Sequence, residues 1–501
     1  MHASFPSPDF LANAEVSQLL QEDLLIQFEQ FFPDPLAPKT VVILPSLTLD
    51  PQILSKIVGH IHYEERLLCM LMLLRMPRTH VVYLSSMPID EVIIDYYLHL
   101  LPGITGLHAR KRLHLLCCYD ASNRSLTEKV LSRPRLIKSI RECIPKDHAA
   151  HLSGFNITPL EEELAYRIGI PLYGCPSSLN YWGTKSGSRE VFQRAGVAFP
   201  PGFENLRNMG EAADALEKLK AQHPHLSKAM VKLNDGFSGD GNAIFYYENH
   251  SRISEEVLRR NLRIVAAGLD FDTFATKFHL MGGIVEAFLD GGVKASPSVQ
   301  CRITPMRKVD VISTHDQVLD RETGMIYMGA SFPANEAYRR EIGHIGMRIA
   351  RELKSLGVLG RFGVDFMSVE ENGEWRHYAI EINLRKGGTT HPFLMLQFLT
   401  DGQYDYEEGV YKMPNGQTRY YFTTDGLQSE AYKTLTPEDL IDLAICNQVH
   451  FDGTTQDGVM FHLIGALSEH GKLGVLSVGN SPEQALEFYH RTVDVLDRET
   501  G

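Results

Sequence analysis

Residues 378–385, Tyr-Ala-Ile-Glu-Ile-Asn-Leu-Arg, alternate with period two. In a strand this puts Glu381, Asn383 and Arg385 on one face and Ile380, Ile382 and Leu384 on the other. Upstream, Arg361, Gly363 and Asp365 share a face in the same way. The connection Glu371-Asn372-Gly373 predicts a three-residue hairpin loop whose last glycine is left-handed. Glu370 then pairs with Glu374, Gly363 stands opposite Glu381, and Asp365 lies diagonal to it on the same face. Two carboxylates and an amide oxygen converge there, the hard oxygen set that Mg²⁺ takes when a nucleotide phosphate completes its shell. A two-residue loop would put Asp365 and Glu381 on opposite faces. The competing reading is a polar strand face turned to solvent.

A second stretch with chemical content is residues 229–246, two β-rich runs joined by Asn234-Asp235-Gly236-Phe237-Ser238-Gly239-Asp240-Gly241. Because strands flank it on both sides, the loop is neither a Walker loop nor a dinucleotide turn, each of which leads into a helix. Lys232 ends the first strand, and the glycines let backbone N–H groups approach phosphate oxygens. The same text also suits a plain surface hairpin. Residues 387–391, Gly-Gly-Thr-Thr-His, lead from the metal strand into a helix expected to start at Pro392, and their N–H groups and threonine hydroxyls suit a carboxylate. His315 fits either a loop network or substrate contact. His60 with His62 and His223 with His225 lack a metal-ligand framework and read as surface residues.

The elements that must position these groups follow from length and pattern. At roughly 150 residues per domain, 501 residues suggest about three. From Val41 short β-rich runs alternate with helical stretches, including one over residues 51–75, which is the βαβ pattern of a parallel sheet. The first strand exits through Leu44-Pro45-Ser46-Leu47-Thr48 without glycine, so this Rossmann-like layer lacks the turn that would cradle NAD. The middle region is α+β with helices at residues 185–195 and 336–356. In the last unit, Thr436-Pro437-Glu438-Asp439 and Ser481-Pro482-Glu483-Gln484 each start a helix, flanking strands at residues 459–467 and 474–478. The fold class is multidomain α/β and α+β, divided at 36–180, 181–404 and 415–501.

A net charge of −13 argues against a general nucleic-acid binder. No apolar run approaches the ~20 residues of a spanning helix, and residues 1–23 lack a basic head followed by an apolar stretch. The expectation is a cytoplasmic protein with no membrane partner. Seven cysteines without CxxC spacing read as reduced, largely buried thiols.

Taken together, these segments resemble an ATP-grasp module over residues 181–398. Gly183-Thr184-Lys185 resembles that family's first nucleotide lysine segment, and Lys232 with the loop through Gly236, Ser238, Gly239 and Gly241 resembles its second lysine and phosphate-covering hairpin. The resemblance further implies adenine contacts from the Glu286 carbonyl and the Leu289 N–H. It makes Asp365, Glu381 and Asn383 the ligands of Mg²⁺, with Mn²⁺ as the alternative ion. Arg385 becomes the arginine that stabilises the transferring phosphate or the acyl-phosphate oxyanion. No ribose-binding acid is evident, since Asp290 is followed by Gly291 and Gly292. Residues 313–317, with His315 and Gln317, and residues 386–392, with Gly388, Thr389, Thr390 and His391, resemble the pheganomycin-type peptide ligases, which also carry a Rossmann-like layer and a small C-terminal domain. The expected activity is ATP-dependent joining of a small-molecule or peptide carboxylate to an amine through an acyl phosphate, with Lys232 and Arg385 as catalytic residues. A kinase-like phosphotransferase and a non-catalytic nucleotide-binding scaffold are the alternatives. The sequence sets neither substrate identity nor oligomeric state.

Overall fold

A computed structural model describes residues 14–49, 54–55, 57–236, 241–247, 252–265, 269–319 and 327–501. Its first layer is a parallel sheet of β1 (Lys39–Leu44), β2 (Thr79–Ser85), β3 (Leu113–Cys117) and β4 (Ala149–Gly154), in the order β3-β2-β1-β4. β1 is buried along its whole length, as a parallel strand covered on both faces must be. The helical stretch expected from residue 51 is described as His60–Arg75, with tight turns; residues 50–53 and 56 lie outside the described residues. Its apolar side, with Leu67, Leu68, Leu71 and Leu74, packs into the core.

The middle region contributes two antiparallel sheets. The smaller runs β5-β9-β6-β7-β8, from β5 (Gly202–Leu206), β6 (Lys228–Leu233), β7 (Asn242–Tyr246), β8 (Leu262–Ile264) and β9 (Gly283–Ala287). The larger has nine strands among the described residues. Those from the middle region are β10 (Val293–Ala295), β11 (Pro297–Ile303), β12 (Val309–Leu319), β13 (Tyr327–Phe332), β14 (Gly360–Glu371) and β15 (Glu374–Asn383). β16 (Gln403–Asp405) and β17 (Val410–Lys412) form a separate ribbon. The chain then returns to the large sheet with β18 (Tyr420–Gln428), β19 (Gly458–His462) and β20 (Lys472–Gly479), and Tyr421 pairs with Phe332. The C-terminal strands therefore extend the large sheet and do not build one of their own. Both proline-led helices form as read: Thr436 caps Pro437–Cys446 in a capping box with Asp439, and Ser481 caps Pro482–Thr500.

The two faces of the large sheet differ. On one, the amphipathic helix Arg339–Ser355 covers Val299, Cys301, Val364 and Phe366, and Gly346 sits so close that a Cβ there would come within 2.6 Å of Val299. Each such buried aliphatic side chain is worth about 1.5–3 kcal/mol. On the other face the same strands carry polar side chains, which form the site.

Candidate active site

The turn between β14 and β15 has two residues, Asn372 and Gly373, with φ of 56° and 82°, and Glu371 pairs with Glu374. The expected three-residue loop is thus corrected: Asn-Gly is the preferred pair for a turn with both φ values positive. Such a turn alone would send Asp365 and Glu381 to opposite faces. A bulge between Asp365 and Phe366 adds one residue to β15 and restores the shared face. Asp365 consequently stands directly opposite Glu381, and Gly363 opposite Asn383.

Cross-strand partners share a face, so the pairing can be followed across the sheet. One row reads Glu381, Asp365, Ser298, His315 and the next Asn383, Gly363, Gln300, Ser313. A Cβ on Gly363 would meet no atom of the described residues within 4 Å, so among them the second row has a gap beside the paired carboxylates. Among the described residues, the hydroxyls of Ser298 and Ser313 and the Nδ1 of His315 are buried without hydrogen-bond partners.

Asp365 accepts from Gln317 Nε2 at 2.8 Å and from Asn383 Nδ2 at 2.9 Å. The Asn383 amide therefore keeps Oδ1 as its ligand atom. Burial first, and then the charge of Glu381, pushes the Asp365 carboxyl up to about 7. Burial also works against the Glu381 charge, but an ion pair with Lys185, together with Lys232 and Arg385, brings its pKa below the ordinary value. Burial lowers the Arg385 pKa against the opposing pull of Glu381 and Asp365. Two opposed carboxylates with an amide oxygen beside them fit a hard divalent cation, which would remove the repulsion that raises Asp365.

Lys185 opens the helix Lys185–Ala195, capped by Thr184. Asn234, at the end of β6, fixes that start: its carbonyl accepts from Lys185 N, and its Oδ1 from Ser186 N and Oγ at 3.0 and 2.7 Å. One turn on, Arg189 reaches Glu286 at 3.3 Å and Glu204 at 3.0 Å. Lys232 pairs with the other oxygen of Glu286 at 2.5 Å. Both lysines thus face the cleft between the sheets, each held by a carboxylate. Glu286 lies in β9 between β5 and β6, and the Leu289 carbonyl just beyond the strand accepts from Lys294. The loop from Gly236 to Gly241 joins β6 to β7, and the Gly241 carbonyl accepts from Leu233 N at 2.9 Å. Ser238 and Gly239 lie outside the described residues.

The remaining expected residues are distributed differently. Gln317 serves Asp365. His315 is fully buried, with Nε2 2.6 Å from the Tyr421 hydroxyl and its ring against Phe332, and burial drops its pKa to about 3. The helix after the metal strand begins at Thr390, earlier than Pro392, and Gln300 engages the hydroxyls of both Thr389 and Thr390. Gly388 lies under the Tyr327 ring, where a Cβ would come within 2.9 Å. His391 lies 3.4 Å from Asp425, which also takes a 2.5 Å hydrogen bond from His462 and an ion pair from Arg66. Arg66, Asp425, Ser298 and Gln300 escape the sequence reading, which names Asn234 only as the first residue of the glycine loop. The alternation of residues 297–303, Pro-Ser-Val-Gln-Cys-Arg-Ile, could have revealed the two on β11; the others sit alone in unremarkable text.

Residues 176–269 and 255–407 match a family profile described as IQCH-like, ATP-grasp, and residues 439–492 match a PGM1 C-terminal domain. The chain is similar to an L-propargylglycine--L-glutamate ligase of Streptantibioticus cattleyicolor, with 31% identity covering 88% of this chain and 90% of that protein. It is also similar to the IQ motif-containing protein H of Danio rerio, at 21% identity over 92% of this chain and 49% of that longer protein. Among solved structures, the biotin carboxylase domain of Hydrogenobacter thermophilus 2-oxoglutarate carboxylase, in complex with MgADP, ADP and bicarbonate, superposes with a TM-score of 0.55. That match has 12% identity and covers 91% of this chain and 89% of that one. The opposed carboxylates, the two cleft lysines and these matches coincide in one region, and the chain belongs to the ATP-grasp ligases, in the pheganomycin-type group whose motifs it carries.

Proposed function

We propose that this protein joins an amino-acid-like carboxylate to the amine of a second amino acid or peptide, using ATP and Mg²⁺. The observation that carries the reading is the direct opposition of Asp365 and Glu381, with Asn383 beside them and Lys185 and Lys232 across the cleft. The residues fit Mg²⁺, which would neutralise phosphate charge when held by Asp365, Glu381 and Asn383 Oδ1. Lys185 and Lys232 exchange their carboxylate partners for phosphate oxygens. The substrate carboxylate attacks the γ-phosphate, giving an acyl phosphate and ADP, and the amine displaces phosphate to leave an amide. Arg385 holds the oxygens that gain charge in both steps, so no covalent enzyme nucleophile is needed. The glycine segment bounded by Gly236 and Gly241, whose residues 237–240 lie outside the described residues, would cover the phosphates and keep water from the acyl phosphate.

The substrates rest on the polar rows at Ser298, Gln300 and Ser313, where the serine hydroxyls, unpaired among the described residues, offer hydrogen bonds beside the gap at Gly363. The segment 388–391 closes this floor through Thr389, Thr390 and His391. Glu286 and Leu289 mark the adenine end of the cleft. Residues 36–180, 181–404 and 415–501 act as three units, the last two sharing one sheet. No helix among the described residues is long and apolar enough to cross a membrane.

The test is incubation with ATP, Mg²⁺ and a pool of amino acids and short peptides, with ADP and amide products scored by mass spectrometry. Hydroxylamine should divert the acyl phosphate to a hydroxamate. Phosphorylated acid without amide would favour a kinase, and nucleotide binding without ADP release would favour a scaffold.

A further inference from the structure

His62, in the helical segment His60–Arg75, meets Glu469 and His470, at the end of a short helix in the C-terminal unit. One donor atom from each lies within 4.8 Å of the other two. The Glu469 carboxylate points one oxygen at each imidazole: Oε2 is 3.7 Å from His62 Nε2 and Oε1 is 3.5 Å from His470 Nε2. Donors sharing one tetrahedral zinc-class ion stand about 3.3 Å apart, so small rotations of the largely exposed Glu469 side chain would close the set.

Two further features go beyond chance proximity. Glu65 lies 3.0 Å from His62 Nδ1 and is itself fixed by the Gly465 N–H at 3.0 Å, which commits Nδ1 and aims Nε2 at Glu469. A carboxylate behind an imidazole is the usual support of a metal-bound histidine. Glycines also leave room for these groups. A Cβ on Gly465 would stand 2.2 Å from Glu65 and 2.5 Å from His62, and one on Gly59, whose φ is +68°, would stand 3.0 Å from the His470 ring. The charges of Glu65 and Glu469 together balance a dication. The buried cluster of His391, Asp425 and His462 differs here, because Arg66 already neutralises Asp425 and a dication would leave buried positive charge uncompensated.

We propose that His62, Glu469 and His470 bind a divalent transition-metal ion of the zinc class, clasping the N-terminal helical segment to the C-terminal unit. Two imidazoles and one carboxylate select such an ion over Mg²⁺, which prefers oxygen donors. The fourth position is left for water. The site is independent of the ligase reading.

The experiment uses the full chain, free of any histidine tag and stripped with chelator, in excess Mg²⁺. Co²⁺ is the optical probe and Zn²⁺ the competitor. One equivalent of Co²⁺ should bind with a ligand-field absorption band, and Zn²⁺ should displace it and raise the Tm. Glu469→Gln, at a position too exposed to disturb folding, should weaken Co²⁺ binding at least tenfold, as should His470→Ala. His391→Ala should leave it unchanged. Equal affinity in wild type and Glu469→Gln, failure of stoichiometric Co²⁺ binding, or loss of binding in His391→Ala alone would each overturn the proposal.

Discussion

Replacing Asp365 by Asn removes one of two carboxylates that face each other across β14 and β15, while Lys185 is bonded to only one of them, Glu381. Side chains directly opposite in a sheet have Cβ atoms about 4.5–5.5 Å apart. Two charges about 5 Å apart at an effective dielectric near 20 repel by about 3 kcal/mol, of which Lys185 and Arg385 cancel part, leaving roughly 1–2 kcal/mol. Against this gain, an amide cannot accept on both sides as the carboxylate does from Gln317 and Asn383, at a cost of about 1 kcal/mol. The metal-free variant should therefore be as stable as wild type or up to about 1 kcal/mol more stable, a Tm rise of at most ~2–4 °C for a cooperative unit of this size.

The pH dependence carries a sign. Burial and the Glu381 charge hold the Asp365 carboxyl up at about 7, above the ordinary 3.8 of an aspartate in the unfolded chain. Between those values the native chain keeps a proton that the unfolded chain has lost, so wild-type stability falls as pH rises through the window. Asparagine does not titrate. In EDTA, the Tm difference in favour of Asp365→Asn should open as pH rises from about 4 to about 7, level off above that, and vanish below about pH 4. Turnover with saturating ATP and Mg²⁺ should meanwhile fall at least ~100-fold, because a charged group at the reacting phosphates is lost. Thermal unfolding across this pH range and ADP release would measure both. A metal-free variant less stable than wild type at about pH 8, or one retaining turnover, would refute the opposed-carboxylate argument.

Gly363→Val should leave the Tm within about a degree, since its side chain enters open space, yet lower kcat/KM at least about tenfold if that gap receives substrate; unchanged kinetics would remove the gap from the site. Lys232→Ala should weaken ATP binding by calorimetry about tenfold, ~1.4 kcal/mol, and a change below about threefold would end its phosphate role. Arg385→Lys keeps the charge but loses the planar fork, so kcat and kcat/KM should fall together by at least about tenfold with ATP affinity nearly intact. Wild-type turnover there would place this arginine outside the reaction.

The metal face was legible because a strand writes its geometry into alternation: Glu381, Asn383 and Arg385 needed no knowledge of their neighbours to be put on one side. The register was not legible. It depends on a two-residue turn and a bulge whose effects cancel, and Glu371-Asn372-Gly373 is compatible with either loop length. The lysines were found through the text around them, but their partners were not. Glu286 was read for its backbone, whereas the fold uses its carboxylate to hold Lys232 and Arg189. Residues 420–479 could be read as strands and helices, yet nothing local says that Tyr421 joins Phe332 in the same sheet. His62 read as a surface residue for the same reason: its partners Glu469 and His470 come from the other end of the chain.

The charged groups of the cleft form two chains of pairs that meet at one helix. Glu204, Arg189, Glu286 and Lys232 link the small sheet, and Lys185, Glu381 and Asp365 link the large one. Lys185 and Arg189 stand one turn apart on the helix Lys185–Ala195, whose start is tied to Asn234 at the end of β6, while Ser188 Oγ accepts from Ile382 N in β15. A phosphate that draws Lys185 from Glu381 would leave a buried carboxylate unpaired, and a cation arriving at Glu381 alone would leave the lysine so. Arrival of both together exchanges partners without stranding either charge. The geometry thus favours the metal-nucleotide pair over its parts, and the helix that carries Lys185 is where the two sheets sense that exchange.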